Sequence, residues 1–185
     1  DLDGSENKKN LGANAILGFS LANSKCSALS NSKSLFKNLG KSFSLPFPLM
    51  NIINGGVHAD NDLNIQEFMI RPDSAKNFME AIEKCFLVIQ NLKKILHSKK
   101  MLTNVGDEGG FAPSINSNEE ALDLIVQAIE KSKLKPGNDV VICLDVAANE
   151  LRNEQGEYSV QSSNFMPVDD VVNYYKKLTS NYPIK

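Results

Sequence analysis

Residues Pro48 to Ile70 read PLMNIINGGVHADNDLNIQEFMI, and this stretch decides the fold. Two short apolar runs, Leu49 to Ile53 and Ile65 to Ile70, bracket a segment rich in Asn, Asp and Gly. Asn54-Gly55-Gly56 breaks the first run and Pro72 follows the second. Apolar runs of strand length joined by such turn chemistry predict a hairpin-like antiparallel pair.

Working downstream, Ala75 to His97 carries apolar residues at helical spacing: Phe78, Ile82, Cys85, Phe86, Ile89, Leu92 and Leu96. A glycine-rich acidic loop, Gly106 to Pro113, follows, and Ser117-Asn118-Glu119-Glu120 is a capping signature that opens a second helix through Ile129. After Pro136-Gly137, the run Val140 to Leu144 is unbroken and apolar, the pattern of a strand buried on both faces in a mainly parallel sheet, and it ends in Asp145. A polar excursion leads to an amphipathic helix over Val168 to Leu178, and a further strand is expected to start at Pro183-Ile184-Lys185. The fold class is therefore α/β, with strand-strand-helix-helix followed by strand and helix. Three strands cannot close a barrel, so the architecture is an incomplete one.

Upstream, Leu11, Ala15, Phe19, Ala22 and Cys26 predict a helix from Leu11 to about Leu29, with Gly12 and Gly18 suggesting close packing against another surface. Asn31 to Ser44 is polar, and Pro46 and Pro48 punctuate the join. The expected organisation is residues 1–40 as the end of one domain, 41–48 as a linker and 49–185 as the first part of a second domain.

Composition narrows the function classes. The 185 residues are 42% hydrophobic and 23% charged, ordinary for a globular protein, and the net charge of -2 gives no general attraction to nucleic acid. No apolar run approaches the length of a membrane span, and no secretory leader is visible before the first helix. Cys26, Cys85 and Cys143 lack metal-type spacing and read as unpaired thiols of a reducing compartment.

Three places carry possible chemistry. His58 and the Gln66-Glu67 pair sit on either side of the first loop, so a hairpin would bring an imidazole, an amide and a carboxylate to one rim. In Val105-Gly106-Asp107-Glu108-Gly109-Gly110-Phe111, two acids among three glycines suggest carboxylates displayed by a tight backbone path. Burial there would raise a carboxyl pKa and suit it to general acid catalysis; an acidic turn between helices explains the same residues. Asp145 ends an apolar strand, the catalytic end in parallel barrels, where a hard cation prefers carboxylate oxygen. Neither glycine-rich stretch matches a nucleotide-binding fingerprint.

Taken together these stretches resemble the enolase family. DGSENKKNLGANAILGFSLA (Asp3 to Ala22), PLMNIINGGVHADNDLNIQEFMI (Pro48 to Ile70), VGDEGGFAP (Val105 to Pro113) and CLDVAANE (Cys143 to Glu150) are similar to that family's landmarks, in the same order. The resemblance implies an enolase-type barrel preceded by the last helical part of an α+β domain. It also implies reversible dehydration of 2-phosphoglycerate to phosphoenolpyruvate in glycolysis and gluconeogenesis, with Mg²⁺, in a cytoplasmic homodimer with a possible cell-surface or secreted pool. By the same likeness Glu108 matches the acid that helps expel the 3-hydroxyl, and Glu67 the carboxylate paired with it. Gln66 and His58 match substrate-contacting residues, and Asp145 the first of three carboxylate Mg²⁺ ligands. The other two metal carboxylates, the lysine base and a lid loop would lie outside residues 1–185, so a partial chain, inactive alone, is expected. Asn149 and Leu151 depart from the residues common in the family. Two alternatives stay open: another enolase-superfamily lyase, or a truncated enolase-like chain with a binding role.

Overall fold

The computed structural model describes residues 2–106, 108–161 and 164–185. Asp107 of the acidic loop and Ser162-Ser163 of the polar excursion therefore lie outside the described residues. The chain divides into two units, residues 1–45 and 46–185.

In the first unit, α1 runs Ala13–Ser30 and α2 runs Leu35–Leu39. Gly12 caps α1 with a φ of +78°, a conformation that favours glycine. The expected apolar face of α1 is not covered: Phe19 is 78% exposed, Leu11 and Leu17 are exposed too, and only Ala28 of the helix is buried. Leu17, Phe19, Leu21 and Leu29 do not share one stripe, and a helix apolar on several sides needs cover on several sides. Nor do Gly12 and Gly18 meet a close neighbour among the described residues. The polar stretch after α1 is not a bare connection either. It forms α2, whose Phe36 meets Phe43 edge to face at 5.2 Å.

The second unit holds a three-stranded sheet of β1 (Met50–Asn54), β2 (Glu67–Arg71) and β3 (Val141–Asp145), in that order. β2 is antiparallel to both neighbours, with a register irregularity between Asn51 and Ile53. The sheet extends at both edges. Phe111 bridges in parallel to Ile53, and Ile184 bridges in parallel to Ile142, where a further strand was expected. Val141 and Ile142 are fully buried and Cys143 nearly so, as an unbroken apolar strand requires. β3's direct partner, however, is antiparallel; its parallel contact is the short one at Ile184.

Two helices, α3 (Phe78–Ser98) and α4 (Asn118–Lys131), pack against each other. α3 buries Ala81, Cys85, Val88, Leu92, Ile95 and Leu96, while Phe78 and Phe86 are exposed. The buried stripe keeps Cys85, Leu92 and Leu96 of the expected face but is turned partly aside, taking in Ala81, Val88 and Ile95 and leaving Phe78 and Phe86 outside it. Ser117 caps α4 by accepting from the Glu120 amide at 3.1 Å. Buried Asn118 donates to the Val160 carbonyl at 2.8 Å and to the Tyr174 hydroxyl at 3.1 Å. These bonds tie α4 to a hairpin, β4 (Tyr158–Gln161) with β5 (Asn164–Met166), and to α5 (Val168–Asn181). The hairpin occupies what reads in the sequence as a polar excursion; Val160 is its one fully buried described residue.

Candidate active site at the strand ends

β1 ends at Asn54, β2 begins at Glu67, and β3 ends at Asp145. Because β2 is antiparallel to both neighbours, these three positions meet: Asn54 pairs with Glu67, and Glu67 pairs with Asp145. One edge of the sheet therefore gathers residues that are far apart in the chain.

His58 reaches this edge through a tightly folded loop. The Gly55 amide donates to the Gln66 carbonyl at 2.9 Å and the Gly56 amide to the Leu63 carbonyl at 2.8 Å, closing the loop on the start of β2. A Cβ on Gly55 would lie 2.5 Å from the Ile65 carbonyl oxygen, so only glycine fits. The short 3-10 turn Gly56–His58 then aims the imidazole at Glu67, with His58 Nδ1 3.5 Å from Glu67 Oε1. That contact is close without being a hydrogen bond: Nδ1 is buried and makes none among the described residues. Gln66 stands half-buried immediately before β2.

Glu108 arrives on the acidic loop. The Gly106 amide donates to the Gly110 carbonyl at 2.8 Å, and the Gly109 amide to the Gly106 carbonyl at 3.1 Å. Phe111 fastens this loop to β1, donating to the Ile52 carbonyl and accepting from the Asn54 amide. The result brings ligand-type atoms of His58, Glu67 and Glu108 within 4.8 Å of one another. Asp145 lies outside that tight trio, exposed at the strand end, with Oδ1 accepting from the Ala147 amide at 3.0 Å. A cleft of about 560 Å³, lined by Asn61, Asp62, Asn64, Asn116, Ser159 and Phe165 among others, includes none of these five residues. At the rim Glu108 and Asp145 are exposed, while His58, Gln66 and Glu67 are half-buried.

Electrostatics distinguish the carboxylates. Burial pushes the Glu67 carboxyl above the usual carboxylate range, and the negative charges of Asp145 and Glu108 push it further, with His58 opposing. The burial expected for Glu108 is absent, since that residue is exposed. The half-buried acid is its neighbour Glu67. Three carboxylates on one rim repel an anionic ligand, so an anion could settle here only with cations to offset them.

Asn54 was missed by sequence reasoning, which treated it as the turn residue after β1. It is fully buried, and its side chain donates to the Gly110 carbonyl at 2.7 Å. An amide side chain closing a strand ahead of Gly-Gly was the only available signal, and it does not name the distant partner.

A sheet packed with helices that gathers its polar chemistry at one end defines an α/β protein whose candidate site sits at the strand ends. Residues 42–185 match the family described as Enolase, C-terminal TIM barrel domain, and the chain belongs to that family. Across its whole length it is 57% identical, over 187 residues, to the enolase of Pelagibacter ubique (strain HTCC1062). It is 48% identical to the enolase of Corynebacterium kroppenstedtii, again over its whole length. The chain spans 44% of the length of each of these relatives. The unclosed sheet accords with a part of such a barrel.

Proposed function

We propose that the protein containing this chain is an enolase, a Mg²⁺-dependent lyase that interconverts 2-phosphoglycerate and phosphoenolpyruvate in glycolysis and gluconeogenesis. The observation that carries the reading is the meeting of His58, Glu67 and Glu108 within 4.8 Å, with Asp145 in register beside Glu67. In this reading residues 1–40 end an N-terminal domain, 41–48 link the two, and 49–185 open the barrel. The protein acts in the cytoplasm as a homodimer; among the described residues no helix is long and apolar enough to cross a membrane.

The donor set fits Mg²⁺, because the rim is rich in carboxylate oxygen and half-buried Glu67 stands among like charges that a cation would relieve. Asp145, exposed at the end of β3, is the ligand this chain supplies. When bound, the metal offsets the charge that builds on the substrate carboxylate as the adjacent carbon loses its proton. The chain's own residues act on the other half of the reaction. Glu108 delivers a proton to the departing 3-hydroxyl, which leaves as water. Glu67 stands beside Glu108 and helps hold that proton, and His58 and Gln66 hold the anionic substrate against the rim.

The test is the full-length protein with 2-phosphoglycerate, followed by the ultraviolet absorbance of the enol product. Turnover should appear with Mg²⁺ and vanish with a chelator. A folded full-length protein without turnover would end the proposal. The 185-residue chain alone should show none, since the proton-abstracting base is not among its candidate residues.

A further inference from the structure

The loop that carries Glu108 is glycine-rich, and bonds among the described residues set where its acid stands. One of them comes from a fully buried side chain, that of Asn54, whose Nδ2 donates to the Gly110 carbonyl at 2.7 Å. The same amide is itself held in place. Asn51 Nδ2 donates to Asn54 Oδ1 at 2.5 Å, and Asn61 Nδ2 donates to the Asn54 carbonyl at 3.0 Å. Its backbone amide donates to Phe111 at 2.9 Å. Every polar group of Asn54 is therefore engaged, and those bonds reach both the acidic loop and the His58 loop.

The fit around it is close. A Cβ on Gly106 would lie 2.5 Å from Asn54 Nδ2 and 2.7 Å from the His58 carbonyl oxygen. Gly106 thus lies directly against the Asn54 amide, between it and the His58 backbone, and no larger residue fits there. A buried amide in so tight a setting does more than fill space, because an Asn rotamer locked by its own partners fixes whatever it grips.

We propose that Asn54 is the positioning residue that sets Glu108 against His58 and Glu67 for hydroxyl departure. The inference rests on the lyase reading above. Asn54 does not touch the reacting atoms; it acts through the Gly106–Gly110 loop. Proton removal from the carbon beside the carboxylate is assigned to a base elsewhere in the protein. A displaced Glu108 should therefore slow dehydration while leaving that first proton transfer intact.

The experiment uses the full-length protein and measures two rates on 2-phosphoglycerate. One is dehydration; the other is exchange of the C2 proton with deuterated solvent, which needs no departure of the hydroxyl. Asn54→Ala should lower dehydration about 10²-fold, the scale of an ångström-sized misplacement. The C2 exchange rate should stay within about threefold, because its base is not displaced. Asn51→Ala, at a half-buried position, frees the Asn54 amide from the partner on its Oδ1 and should give the same split in smaller measure, which covers the case in which Asn54→Ala does not fold. A parallel fall in both rates, or no fall in dehydration, for the folded variants would overturn the inference. A wild-type protein without turnover removes the lyase reading and this inference together; an active wild type without the split removes the inference alone.

Discussion

Glu67 and Asp145 face one another as a register pair across β2 and β3, two acids placed side by side where the sheet meets solvent. Such a pair is costly in the absence of a cation, because burial and like charge both disfavour ionised Glu67. A folded-state pKa raised above the unfolded one means that stability is full at low pH. It is lost as pH rises through the raised value.

Asp145→Asn should therefore raise the stability of the metal-free protein near neutral pH while lowering the activity proposed for the full-length protein, a trade of function for stability. The gain should fade as pH falls and Glu67 takes up its proton, because the repulsion it relieves then disappears. Urea midpoints with a chelator present, measured across this range, check both parts. An unchanged midpoint at neutral pH would mean that the two acids do not strain one another.

Glu108→Gln keeps the size of the side chain and removes its proton. The substitution should lower kcat for 2-phosphoglycerate by about 10²-fold or more, the usual worth of a general acid, and change KM far less. Steady-state kinetics of the full-length variant decide it, and normal turnover would remove the role assigned to Glu108.

The thiols should separate by exposure. Cys26 is exposed, whereas Cys85 and Cys143 are buried, and burial pushes the Cys85 thiol up to about 11 and the Cys143 thiol above its ordinary value. Since the thiolate is the reactive species, one thiol should react promptly with a disulfide reagent in the native protein. The other two should react only on unfolding. Prompt reaction of all three would show that the α3 face and β3 open readily.

Burial pushes the Tyr174 hydroxyl up to about 12, and Tyr175 is raised as well. Neutral phenols are thus favoured in the fold, so stability should hold below about pH 10 and fall as pH rises toward 12. Tyr174→Phe should flatten that alkaline loss and cost about 1 kcal/mol at neutral pH, because Asn118 loses one acceptor. Thermal unfolding against pH measures both effects.

The strands around Pro48 to Ile70, the capping of α4 by Ser117 and the apolar β3 were all legible because each depends on local period or local turn chemistry. The β4–β5 hairpin was not, since its sequence is polar and, among its described residues, only Val160 is deeply buried. The stripe on α3 was legible in part: Cys85, Leu92 and Leu96 are buried as expected, whereas Phe78 and Phe86 continue the apolar pattern without being buried. For the site, the candidate residues could be chosen from the sequence, but their distances could not.

By itself the sequence determined the order of β1, β2, α3, α4, β3 and α5 and the kinds of side chain available at their ends, because a strand or helix is written in spacings of a few residues. Tertiary structure alone decided that Glu67 rather than Glu108 is the acid half-buried at the rim, that Asp145 stands opposite it, and that Asn54 grips the acidic loop. The reason is physical: burial and Coulomb interaction act through space between residues remote in the chain, and no local pattern encodes those distances.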